Sequence, residues 1–256
     1  VSACFQTHFG VFQGDSNMFL RKLTLLDENI CSKHEYPFSI PCIQNLEEIT
    51  FTSNVTFFVG ENGSGKSTLL EAIAYCCNFN TVGGGRNNTY EVHSSEAVLG
   101  EYIRLSWAPK ATNGFFLRAE SFYEFVTHID NLEDSSAYIP YGGKSLHKQS
   151  HGESFFSVFM NRFEGNGLYI LDEPEAALSP SRQMAMITRI HELVKLNSQF
   201  IIATHSPIIM AYPNSTIYEI KEKIELVRYE EIEHYQIMKS FINNKNKMLD
   251  ILIDDN

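Results

Sequence analysis

Apolar positions along the chain change period several times, and each change marks an element. Short blocks of strand character come first: Phe19 to Leu26, Phe38 to Ile40, Ile49 to Phe51, and the continuous apolar run Val55 to Val59, with Pro37 and Pro41 between them. A glycine-rich turn, Gly60 to Gly65, follows that run, and Leu69, Leu70, Ile73 and Ala74 then recur at helical spacing over Ser67 to Cys77. Residues 78–100, rich in Asn, Gly and Thr, read as a loop. Beyond it the pattern predicts strands Tyr102 to Trp107 and Phe115 to Ala119, then helices Phe122 to Ile129 and Glu153 to Phe163. A strand Leu168 to Leu171, a helix Ser181 to Leu196 and a strand Gln199 to Ala203 follow, and Ile217 to Ile220 with Ile224 to Arg228 predicts a hairpin. Ile237, Phe241, Met248 and Ile251 in a polar background predict amphipathic helix over Glu231 to Leu252.

Strands before any helix, then strands alternating with helices, predict an α/β fold with an N-terminal antiparallel β subdomain, a parallel-sheet core and a small helical lobe at about 120–165. Residues 18–228 read as one domain and 229–256 as a helical tail. Residues 1–17 hold no Lys or Arg and no apolar block of signal-peptide length, and read as a disordered extension without a function of their own. No internal repeat or sustained heptad is present, which excludes a solenoid or a long coiled-coil arm.

Composition narrows the class further. The 256 residues are 43% hydrophobic and 20% charged, ordinary globular usage. A formal net charge of −11 disfavours a surface that wraps nucleic acid or an anionic membrane, although a local basic patch stays compatible with it. No apolar run approaches the roughly 18 to 20 residues of a membrane-spanning helix. The five cysteines, Cys4, Cys31, Cys42, Cys76 and Cys77, lack the spacing of a zinc site or a redox pair and read as reduced thiols of a cytoplasmic protein.

The chemistry concentrates in three places. Gly60-Glu61-Asn62-Gly63-Ser64-Gly65-Lys66-Ser67-Thr68 fits the phosphate-loop pattern of Gly, four residues, Gly, Lys, Ser or Thr, between an apolar strand and a helix. Glycines let backbone N–H groups converge on phosphate oxygens, Lys66 reaches the β- and γ-phosphates, and the Ser67 hydroxyl ligates Mg²⁺. Leu168 to Leu171 ends in Asp172-Glu173, where Asp172 would hold the Mg²⁺ shell and Glu173 would orient or deprotonate the attacking water. Gln199 to Ala203 ends in Thr204-His205-Ser206, at the strand edge where open α/β sheets bind ligands, and His205 reads as a γ-phosphate sensor. Arg86, beside Gly83 to Gly85, reads as a solvated loop arginine in preference to a phosphate contact.

With these motifs in order, residues 18–228 resemble the ABC-type ATPases, a branch of the P-loop NTPases. Where that family carries Leu-Ser-Gly-Gly-Gln, this chain has Gln149-Ser150-His151-Gly152-Glu153, keeping the serine and the second glycine. The departure resembles soluble ABC ATPases related to SMC and RecF proteins more than a transporter cassette. Ala177-Leu178-Ser179-Pro180 resembles the family's D-loop, and Glu120 stands as the candidate for its missing glutamine. The resemblance implies ATP hydrolysis and a head-to-tail homodimer formed on ATP. In it Ser150 and Gly152 of one subunit donate to the γ-phosphate held by Lys66 and Ser67 of the other. Such a switch would work on a separate protein effector, in genome maintenance or phage defence. A transporter's nucleotide-binding subunit and a DNA-associated SMC- or RecF-like ATPase are the alternative readings.

Overall fold

The computed structural model describes residues 18–81, 83–86, 98–131 and 135–253. The expected extension at 1–17, Cys4 and most of the expected loop (82 and 87–97) lie outside the described residues. Among the described residues, nine strands form two sheets. In the first, β1 (Leu20–Leu25) pairs antiparallel with both β2 (Glu48–Thr50) and β4 (Ile103–Trp107). The second runs β5 (Asn113–Arg118), β6 (Gly167–Asp172), β7 (Gln199–Ala203), β3 (Val55–Val59), β8 (Thr216–Ile220) and β9 (Ile224–Leu226). All its pairings are parallel except the β8–β9 hairpin.

The helices are α1 (Pro41–Gln44), α2 (Lys66–Cys76), α3 (Phe122–Asp130), α4 (His151–Arg162), α5 (Pro180–Lys195), α6 (Pro207–Met210), α7 (Glu233–Asn243) and α8 (Lys245–Leu252). β3, β6 and β7 are buried at every position, because the parallel sheet is covered on both faces and both side-chain rows must be apolar. Alternation divides the core accordingly. Phe57, Phe115, Tyr169 and Phe200 pack with Phe125, Phe155 and Ile190 of α3, α4 and α5. Phe58, Phe116, Ile170 and Ile201 pack on the other face with Leu69 and Ile73 of α2 and with Leu20 and Leu23 of the antiparallel sheet.

Register sets the site. Arg118 lies opposite Asp172, Asp172 opposite Ala203, and Ala203 opposite Phe58, so the carboxyl ends of β5, β6, β7 and β3 form one row. The residues that leave those ends are neighbours although far apart in sequence.

Two elements differ from the pattern reading. Phe38 to Ile40 is a turn entering α1, not a strand: Pro37 and Pro41 bracket it, cannot donate to a ladder, and leave too few residues to pair. Phe38 is buried edge-on against Tyr102, ring centroids 4.8 Å apart, which explains its apolar character without strand pairing. The C-terminal helix is interrupted at Asn244, where φ is −131° and helical geometry stops.

Candidate functional site

The turn between β3 and α2 needs its glycines. Gly60 has φ +150°, and a Cβ there would stand 2.4 Å from the Ile220 carbonyl oxygen. Gly65, φ +102°, caps α2, and its Cβ would meet Cys42 Sγ at 2.8 Å. The Cys42 thiol donates to the Ser64 carbonyl (3.0 Å), so α1 braces the turn from outside. Gly63, φ +78°, faces open space, and Glu61 and Asn62 are exposed. The Ser64 hydroxyl is buried without a hydrogen-bond partner among the described residues. Lys66, 3% exposed, donates back to the carbonyls of Gly60 (2.9 Å) and Glu61 (2.8 Å). Burial lowers its pKa, an effect opposed by Glu173, Asp172 and Glu175. The Thr68 hydroxyl lies 3.3 Å from the hydroxyl of the exposed Tyr36.

Asp172 faces this turn from β6. Ser67 Oγ donates to its Oδ1 (3.2 Å), and Arg118 Nε lies 3.3 Å from its Oδ2. The same guanidinium meets Glu71 at 2.6 Å and Glu120 at 2.8 Å. Burial pushes the Asp172 carboxyl up to about 6, held from rising further by Arg118 and by the Ser67 hydrogen bond. Glu173 takes a left-handed conformation (φ 49°, ψ 51°), with its N–H donating to the Ala203 carbonyl (2.9 Å). A non-glycine residue there costs about 1 kcal/mol or more, and the turn aims its carboxylate back across the strand ends.

His205 completes the row from β7. Its Nε2 is 3.3 Å from Glu173 Oε1, and its Nδ1 is 3.2 Å from His234 Nε2. Glu175 fixes the backbone here: it accepts from the His205 N–H and from Thr204 Oγ1 (2.7 Å). Burial, followed by the nearby Lys66 charge, lowers the His205 pKa against the pull of Glu173.

Ser150 and Gly152 belong to a separate cluster at the start of α4. Glu153 Oε2 accepts from the Ser150 hydroxyl (2.7 Å) and from the Ser150 N–H (3.0 Å), an arrangement that caps the helix. Those hydrogen bonds hold the Glu153 carboxyl below the usual range. A Cβ on Gly152 would stand 2.5 Å from the Ala177 carbonyl oxygen, so the helix start abuts the Ala177–Pro180 turn. Arg86 takes neither role expected for a loop arginine: its guanidinium donates to the carbonyls of Cys77, Ala111 and Thr112 and ties the loop to the body of the domain.

Lys66, Ser67, Asp172, Glu173 and His205 thus meet in one place, Glu120 is joined to them through Arg118, and Ser150 and Gly152 stand apart with the Ala177 turn. Arg118, Glu71, Glu175 and His234 escape sequence reasoning. Arg118 ends a strand, and that strand's place beside β6 is a tertiary fact; Glu175 lies in the acidic turn already marked by Glu173. His234 carries no local signal at all.

The donor set suits Mg²⁺: a hydroxyl and a carboxylate, hard oxygen ligands, in a place where Asp172, Glu173 and Glu175 gather around Lys66. The unpartnered Ser64 hydroxyl and the open space at Gly63 suit a polyphosphate.

Residues 38–252 match a family model described as an AAA domain. No curated protein matches the sequence. Similar solved structures include the SMC head domain from Thermotoga maritima, 19% identical, covering 82% of this chain and 98% of that one at a TM-score of 0.44. Another is cbiO1 from Clostridium perfringens, part of an ABC transporter complex, 19% identical, with 79% and 90% covered at a TM-score of 0.45. A third is an ATP-binding cassette of an ABC transporter in its ADP conformation, 16% identical, with 90% and 96% covered at a TM-score of 0.47.

Proposed function

The chain belongs to the AAA domain family, and on that footing we propose that it is an ABC-type ATPase that binds and hydrolyses ATP and switches by ATP-dependent head-to-tail dimerisation. The Ser67–Asp172 hydrogen bond carries this reading, because it joins the phosphate-loop hydroxyl to the strand-end carboxylate that must share a cation with it.

In this mechanism the backbone N–H groups of Gly63 to Thr68 and the start of α2 receive the phosphates. Lys66 exchanges the Gly60 and Glu61 carbonyls for β- and γ-phosphate oxygens. Ser67 and Asp172 would hold Mg²⁺, which when bound neutralises charge on the transferring phosphoryl group. Glu173 orients a water and takes its proton, and His205 Nε2–H donates toward the γ-phosphate or that water. Arg118 holds the Asp172 carboxylate against its burial.

The second subunit supplies the Ser150 hydroxyl and the Gly152 N–H. Ser150 must first release Glu153, so the acid in place of the family's glutamine weakens the ATP-bound dimer and favours its opening. Exposed Ile237, Ile242 and Ile251 on α7 and α8 support a protein effector as the receiver of that movement. Among the described residues no helix is long and apolar enough to cross a membrane.

Phosphate release from ATP by the purified chain with Mg²⁺, lost in Lys66→Ala, tests the reading. Equal release by both proteins would refute it.

A further inference from the structure

His205 does not face its site alone. A neutral imidazole carries one proton on one of its two nitrogens, and here the two nitrogens have different neighbours. Nε2 looks toward Glu173, a carboxylate that can only accept, at 3.3 Å; it is buried and has no aligned hydrogen-bond partner among the described residues. Nδ1 is 3.2 Å from His234 Nε2, the rings meeting edge-on at 66° with centroids 4.9 Å apart. If Nε2 carries the proton, Nδ1 is an acceptor, and the donor that faces it among the described residues is His234 Nε2–H.

We propose that His234, delivered by the C-terminal segment, is a positioning residue that fixes His205 as its Nε2–H tautomer and so keeps a donor turned toward Glu173 and the γ-phosphate. This inference rests on the ATPase reading for its consequence in turnover, but the tautomer itself does not depend on that reading.

The segment that brings His234 is anchored beside the site. Ile232, just before α7, is fully buried in the core, and the Tyr229 hydroxyl donates to the carbonyl of Pro207, two residues beyond His205 (2.8 Å). Tyr229 packs on Tyr235, centroids 4.4 Å apart, which fixes the first turn of α7 on either side of His234. The Glu175 carboxylate holds the His205 backbone by accepting from the His205 N–H. His205 is therefore constrained at its backbone by one element and at its ring by another, and a shift of α7 removes only the second constraint.

Two-bond ¹⁵N–¹H spectra of the histidine-labelled full chain, with His205 assigned by His205→Gln, read the tautomer directly. The wild type is expected to show His205 as the Nε2–H form. His234→Phe is expected to give a mixture of tautomers, and His234→Gln, whose amide can donate from a similar position, is expected to retain the wild-type form. In turnover, His234→Phe should lower kcat about tenfold at unchanged KM for ATP, with His234→Gln recovering most of it. An Nδ1–H form in the wild type, an Nε2–H form that survives His234→Phe, or a wild-type kcat in that variant would each overturn the proposal. A wild type that shows the Nε2–H form yet hydrolyses no ATP would refute the ATPase reading and leave the tautomer assignment standing.

Discussion

Ser67 Oγ donates to Asp172 Oδ1 across 3.2 Å, although 105 positions separate them in the chain. One stands at the start of the helix behind the glycine turn and the other at the end of a strand two places away in the sheet. Their contact turns two sequence motifs into a single oxygen-rich site, next to which Lys66, Glu173 and His205 converge.

Lys66 is the group that should report nucleotide binding most simply. ATP at a hundredfold excess over its Kd stabilises the native state by about 2.7 kcal/mol, roughly 5–10 °C in Tm for a domain of this size. Thermal melting of Lys66→Ala should show no such shift. A wild-type shift in the variant would remove the phosphate loop from binding.

Glu153 holds the Ser150 hydroxyl and N–H in the same subunit. Glu153→Gln keeps an acceptor for the helix cap and removes a negative charge from the segment that would approach the γ-phosphate in the proposed dimer. Sedimentation with a non-hydrolysed ATP analogue should show the dimer tightened by about five- to tenfold. A dimer no tighter than that of the wild type would contradict this use of Ser150.

The thiols give a pH prediction. Burial pushes Cys42 and Cys76 up to about 11 and Cys77 up to about 12 from an ordinary 9.0. The folded chain therefore keeps these protons where the unfolded chain loses them, so stability is full below pH 9 and falls as pH rises from 9 toward about 12. Urea melts at pH 8 and pH 10 should show that loss, and iodoacetamide at pH 8 should modify the exposed Cys31 well before Cys42, Cys76 and Cys77. Equal labelling of Cys31 and Cys77 would contradict the burial argument.

Much of this was legible in the chain itself. The apolar run Val55 to Val59, the glycines after it and the acids closing Leu168 to Leu171 are local patterns, and local patterns follow from backbone geometry and strand burial. What escaped was the work of tertiary register. Arg118 reaches Asp172 because β5 pairs with β6, and His234 reaches His205 from a distant helix start, just beyond Tyr229, whose hydroxyl is bonded to the Pro207 carbonyl. Phe38 to Ile40 misled because an apolar residue packed in a turn has the same composition as one in a strand.

Light scattering on Glu173→Gln with and without ATP and Mg²⁺ reads the proposed nucleotide-driven switch between one subunit and two. Removing the base should leave nucleotide binding intact and stop hydrolysis, so the protein is expected to run as a monomer alone and to accumulate as a stable dimer with ATP. A mass unchanged by saturating ATP would contradict the account.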